Sequence, residues 1–209
     1  MEYSMDTQEK TTKTAGAGMR TSLKNRFTAK RLALMAIFVA LAFSISILSF
    51  SVFPSSPVFF LEIDFGNVFI LLISFLLGPV EGIIVCILKE CLRIFAGSTG
   101  GVGELANMLM TSAFILLPSI VYQYRKGLKW VIWSLVGACI IGTAAALAVN
   151  RFITFPLFGE LFLGSDGVAL FYANFWLIVA FNLIKTVLVS VVTLLLYKRL
   201  SNFLKRIKI

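Results

Sequence analysis

The stretch GVALFYANFWLIVAFNLIKTVLVSVVTLLLY, residues 167–197, decides the fold class. It is long enough to cross a bilayer, which takes about 20 apolar residues in a helix. One cation interrupts it. Lys185 stands near the middle, with Asn182 three positions earlier on the same helical face. An ammonium at membrane depth costs ~2.5–3.5 kcal/mol on insertion scales, so such residues face a partner or a polar cavity rather than lipid. Snorkelling toward Lys198 would need about 20 Å of helix, too far for one side chain, which leaves a polar cavity or an outward snorkel. At 100° per residue, Asn174 also falls on the side of the helix that carries Asn182.

The rest of the chain agrees with a membrane protein. Of its 209 residues 59% are hydrophobic, and the mean hydropathy is +0.94. Soluble domains stay near ~45–50% apolar even with glycine counted. Twenty Phe and three Trp suit a lipid-facing surface with aromatic belts. There is no histidine, which removes His-based acid–base chemistry and His metal sites. Cys86, Cys91 and Cys139 lie singly inside apolar stretches and read as small buried hydrophobes, with no metal site or disulfide framework.

A net charge of +9 would suit nucleic acid, but its distribution argues against that partner. Lys10, Lys13, Arg20, Lys24, Arg26, Lys30 and Arg31 precede the first apolar run. Arg125, Lys126 and Lys129 share one internal loop, and Lys198, Arg199, Lys205, Arg206 and Lys208 follow the last run. Basic residues flanking membrane segments mark the cytoplasmic side. The fold expected is an all-α membrane protein of six transmembrane helices with both termini cytoplasmic. A disordered cytoplasmic tail is expected over 1–29 and a six-helix substrate-binding domain over 30–209. The helices are placed at about 31–50, before 78, 80–95, 104–124, 129–152 and 173–199. Gly78-Pro79 is read as a turn between two spans, because a single kinked span would put the C-terminal cluster outside. The second helix is then short, so it must start near Phe59 or run partly buried. Residues 51–62, 97–103 and 153–172 are expected as outer loops, carrying Glu62, Asp64, Glu160 and Asp166 but no Lys or Arg.

Polar residues gather near those loops. Glu104 and Asn107 open the fourth helix; Asn150 and Arg151 close the fifth. With Asn182, Lys185 and Asn174 they outline a site at the outer half of the bundle. Lys89, Glu90 and Arg93 either join it or pair among themselves and with Glu62 or Asp64. The glycine-rich 97–103 lacks the G-x-x-x-x-G-K-[ST] pattern of a phosphate loop and reads as a flexible connector. Ala29, Ala33, Ala36 and Ala40 form a small-residue stripe along the first helix, fit either for internal packing or for docking another subunit. No catalytic set is visible, and no nucleotide motif supplies an engine.

Several segments resemble one family more particularly. They are Leu61-Glu62-Ile63-Asp64-Phe65 with Gly78-Pro79, Gly97-Ser98-Thr99-Gly100-Gly101-Val102-Gly103-Glu104-Leu105-Ala106-Asn107, Asn150 before Phe155-Pro156, and Phe181-Asn182-Leu183-Ile184-Lys185. Together they resemble the substrate-binding S component of an energy-coupling factor transporter, in its riboflavin-specific branch, over about residues 30–200. Glu81 and Arg151 depart from that pattern. The resemblance implies a cell-membrane protein that captures a vitamin from outside. It implies partnership with a T component and two ATPases, which use ATP while this chain needs no cofactor. It also implies docking of the T component on Ala33, Ala36 and Ala40, and a loop before helix 2 that closes over the ligand. A flat isoalloxazine suits Phe and Tyr neighbours, its pyrimidine edge suits Asn and Lys185, and ribityl hydroxyls suit Glu104 and Asn107. The same scaffold could instead take folate, pantothenate or a thiamine precursor. A self-sufficient secondary carrier is a further alternative. A lipid-modifying enzyme is disfavoured by the missing His and D-x-x-D pair.

Overall fold

A computed structural model describes residues 28–204, apart from 55, 57, 98 and 165; the tail expected over 1–29 falls, up to residue 27, outside the described residues. The first helix, α1, runs Ala29–Ser46. A strap over 47–65 follows, closed at its base by antiparallel pairing of β1 (Phe50–Ser51) with β2 (Glu62–Ile63). Then come α2 (Gly66–Leu77), α3 (Pro79–Ile94), α4 (Val102–Tyr124) and α5 (Leu128–Val149).

Beyond α5 the chain does not unwind. A π-helical turn, Asn150–Thr154, leads into α6 (Phe155–Phe158) and a second π turn, Gly159–Leu163. The loop expected over 153–172 is thus helical for most of its length. Pro156 lies inside this continuous run and has no N–H to give to the ladder. The Phe155 N–H reaches back five residues to the Asn150 carbonyl, a wider turn that absorbs the proline ring. Gly164, at φ 56°, finally ends the run. Short α7 (Gly167–Ala173) and long α8 (Phe175–Leu204) complete the chain.

Four helical stretches are long and apolar enough to cross a membrane: Ala29–Ser46, Val102–Tyr124, Leu128–Phe162 and Phe175–Tyr197. The second helix is the buried alternative of the two expected. Its sequence GNVFILLISFLL is apolar on every side, the mark of a helix with no face for solvent. At 12 residues it reaches about 18 Å, less than the hydrocarbon thickness, and it starts at Gly66 rather than near Phe59. It packs against α1, α3, α4 and α8. Its Ile70, Leu71 and Ile73 meet Phe38 and Ala42 of α1, Val85 of α3 and Ile115 of α4 in the main core. Its Ser74 donates to the Leu71 carbonyl at 2.7 Å and meets the Ser119 hydroxyl of α4 at 2.7 Å between oxygens.

A second cluster lies under the strap. Phe60 stacks on Phe158 at 4.3 Å between ring centres, and Phe155 meets Phe60 edge-on at 5.1 Å. Ile178 and Phe181 of α8 join them. Along α1, Met35, Phe38 and Ala42 face the core, while Ala29, Ala33, Ala36 and Ala40 are exposed. The alanine stripe therefore lies on the outside of the bundle, away from this chain's own packing.

Candidate ligand-binding cleft

The strap, α3, α4, the first π turn and α8 enclose a cleft of about 520 Å³, open space at its mouth included. Its wall is drawn from Phe60, Glu62 and Asp64 of the strap, Glu90 and Arg93 of α3, Glu104 and Asn107 of α4, Asn150 and Thr154 of the π turn, and Phe181, Asn182 and Lys185 of α8. A second chamber of about 350 Å³ shares Asn107, Met110, Asn182 and Lys185 with it, and continues among Phe114, Gly142, Ala146 and Val189. Together they form a concave site lined by polar groups toward the strap and by Phe114, Ala146 and Val189 at the other end.

Lys185 does not snorkel. Its Nζ donates to Asn107 Oδ1 at 3.0 Å and lies 6.0 Å from the centre of the Phe181 ring. Asn107 is a junction. It accepts from Asn67 Nδ2 at 3.2 Å, and its own Nδ2 donates to Glu90 Oε1 at 2.5 Å. Glu90 also accepts from Lys89 at 2.6 Å, and Lys89 donates to Asp64. Asp64 accepts in addition from the Ser46 hydroxyl and the Gly66 N–H, both at 2.7 Å. The Lys89 side chain is 0% exposed and that of Asp64 5%. Losing one partner of such a buried pair leaves an uncompensated charge, at a cost of about 3–5 kcal/mol.

One turn along α3, Arg93 donates to Glu62 at 2.7 Å, to the Ser49 hydroxyl at 2.8 Å and to the Ser46 carbonyl. The pairing expected among Lys89, Glu90, Arg93, Glu62 and Asp64 is present. Glu90, Arg93, Glu62 and Asp64 also form cleft wall.

Two amides are left with open capacity. Asn182 Nδ2 donates to the Ile178 carbonyl at 2.9 Å, and its Oδ1 has no protein partner among the described residues. Asn150 is 1% exposed, and its buried Nδ2 has no hydrogen-bond partner among the described residues. A buried donor left unmade costs about 1–3 kcal/mol, so its place on a cleft wall points to a guest that accepts from it.

Glu104 is buried on the wall, its carboxylate accepting from Thr99. The glycine-rich segment does more than connect. A Cβ at Gly97 would lie 2.1 Å from Glu104 Oε1, and Gly101 holds φ 91°, so glycine lets the backbone wrap the carboxylate. Ser98 is outside the described residues. Asn174 is not brought to the cleft. It sits at the α7–α8 junction, outside the cleft wall, and donates to the Leu170 carbonyl at 2.9 Å. Arg151 turns away as well, donating to the Tyr172 hydroxyl at 3.2 Å, with its guanidinium over the Tyr172 ring. Glu81 meets Arg31 of α1 at 3.4 Å, apart from the cleft. Asn67 escaped the sequence reading; its place three residues after Asp64, as the second residue of α2, was the available signal.

An apolar helix bundle around a cleft lined by buried amides and charges has the form of a membrane subunit that binds a small molecule. The chain belongs to the family of ECF transporter substrate-specific components, whose family model matches residues 30–197. It is 36% identical over 182 residues to the riboflavin transporter RibU of Staphylococcus aureus, covering 85% of this chain and 94% of that protein. It is 30% identical over 186 residues to the riboflavin transporter FmnP of Bacillus subtilis, covering 85% and 95%. The solved structure of the S component of a bacterial ECF transporter superposes with a TM-score of 0.69 at 35% identity, covering 84% of this chain and 98% of that one. The protein is accordingly an integral protein of the cell membrane.

Proposed function

We propose that this chain captures riboflavin, or a close flavin, from outside the cell and delivers it inward as the S component of an ATP-driven ECF transporter. The observation that carries the reading is the unpaired buried amide of Asn150, placed on the cleft wall with Lys185, Asn107 and Asn182. An alternating donor–acceptor ring edge answers that set, while Phe60 and Phe181 offer apolar faces to a flat ring. Glu104 and Asn107 take hydroxyl groups of the side chain. The names of the two relatives at 36% and 30% identity support the choice of flavin over other vitamins.

In this reading α1, α2, α3, α4, α5 with its π extension, and α8 are the six spans, with both termini cytoplasmic, as the basic clusters at each end favour. A T component docks on the exposed Ala33, Ala36 and Ala40, where small side chains let a helix approach closely. Two ATPases supply the energy, and no bond of the vitamin changes.

Purification followed by titration with riboflavin tests this. Binding quenches flavin fluorescence with one site per chain. A preparation that ignores riboflavin but binds folate, pantothenate or a thiamine precursor would move the assignment within the family. Vesicle uptake without the coupling subunits would instead make it a self-sufficient carrier.

A further inference from the structure

We infer that Arg93 is a positioning residue that fastens the strap over the cleft, and that the strap opens by releasing Glu62 from Arg93 while Asp64 stays fixed as its hinge. This rests on the cleft being a ligand site, and it assigns the residue that sets how long the ligand stays.

Lys89 and Arg93 are four apart on α3, so they stand one above the other on a single face. Glu62 and Asp64 are two apart in extended chain, so both turn toward that face while Ile63 is buried on the other side. Two acid–base pairs therefore tie the same three residues of strap to the same two turns of helix.

The two ties differ in what holds them. Asp64 takes Ser46, the Gly66 N–H and Lys89 at once. A Cβ on Gly66 would lie 2.1 Å from Ser46 Oγ and 2.4 Å from the Ala42 carbonyl, so the backbone there is wedged against α1. Freeing Asp64 would take three partners from a carboxylate with a 5% exposed side chain and leave the fully buried Lys89 ammonium with Glu90 as its one remaining carboxylate. The Glu62–Arg93 pair is wetter, with side chains 22% and 12% exposed. When Glu62 leaves, it gives up the guanidinium and the Ser49 hydroxyl, which donates to it at 2.7 Å; the guanidinium keeps the Ser49 oxygen and the Ser46 carbonyl, and water reaches the carboxylate. No buried charge is orphaned. Past Glu62 the strap rests on the bundle through Phe59 and Phe60 against Phe158, apolar contacts without directional demand.

Two measurements on the purified full chain decide it. Stopped-flow release of bound riboflavin should speed about tenfold or more in Arg93→Met and in Glu62→Gln, with association changed less than about threefold. The double variant should be no faster than either single, because both remove one contact, and Arg93→Lys should fall in between. Amide exchange over 52–61 in ligand-free protein should rise in both single variants while α2 stays protected. Faster release in Arg93→Met with none in Glu62→Gln, additive effects, or unchanged strap exchange would each overturn the inference. If wild-type protein binds no riboflavin, the flavin reading fails, and the exchange result still decides the fastening.

Discussion

Lys185 on α8 and Asn107 on α4, 78 residues apart in sequence, are joined by a 3.0 Å hydrogen bond that holds the ammonium inside the bundle. Asn107 passes that contact on to Glu90, and Glu90 to Lys89 and Asp64. The strap, α3, α4 and α8 thus share one polar network along the cleft, and substitutions in it have separable effects on binding and on folding.

Replacing the ammonium should cost binding more than stability. Lys185→Met removes a charged donor worth about 1.5–3 kcal/mol, so riboflavin affinity should fall by roughly ten- to a hundredfold. Fluorescence titration beside a thermal melt reads both quantities. Unchanged affinity would take Lys185 out of the site.

Asn150 should behave in the opposite way toward folding. Its Nδ2 has no partner to lose, so Asn150→Leu should leave the melting temperature of ligand-free protein unchanged or raise it. Affinity should drop by about tenfold with the donor gone. A lower melting temperature with full affinity would show that the amide serves the fold.

The buried pair under the strap is a stability element. Lys89→Met leaves Asp64 and Glu90 facing each other without a cation, and should lower stability by about 3–5 kcal/mol. Adding Asp64→Leu should recover part of that loss. Denaturation in detergent measures it, and a single variant as stable as wild type would refute the pairing.

The outer stripe of α1 makes a prediction about partners. Ala36→Trp puts a bulky ring on an exposed face and should leave riboflavin capture intact while abolishing uptake by the assembled transporter. Normal uptake in reconstituted vesicles would place the docking face elsewhere.

Much of this architecture was readable before any coordinates. The apolar runs marked the long helices because lipid imposes a length and a composition together. Gly78-Pro79 marked the α2–α3 break because proline starts a helix and glycine reaches the φ of 126° found there. Residues 153–172 misled, since Pro156 and Gly159 break an α-helix but not a chain that widens into π turns. In the cleft, Asn182 and Lys185 were legible from spacing within one helix. Their connection to Asn67 and Glu90 was not, because it depends on how four helices pack. Asn174 shared the expected face, yet the α7–α8 break gave its amide a nearer carbonyl.

The pairing of α3 with the strap bears on how the protein is made. Within 16 residues α3 carries Glu81, Lys89, Glu90 and Arg93, and a lysine or arginine left alone at the centre of the hydrocarbon costs ~2.5–3.5 kcal/mol, so this segment partitions poorly by itself. Glu62 and Asp64, which share with Glu90 the neutralisation of Lys89 and Arg93, precede α3 in the chain and have left the ribosome first. On the six-span topology proposed above, α3 is expected to enter the bilayer together with α2, as a hairpin turning at Gly78-Pro79 whose charges are already matched.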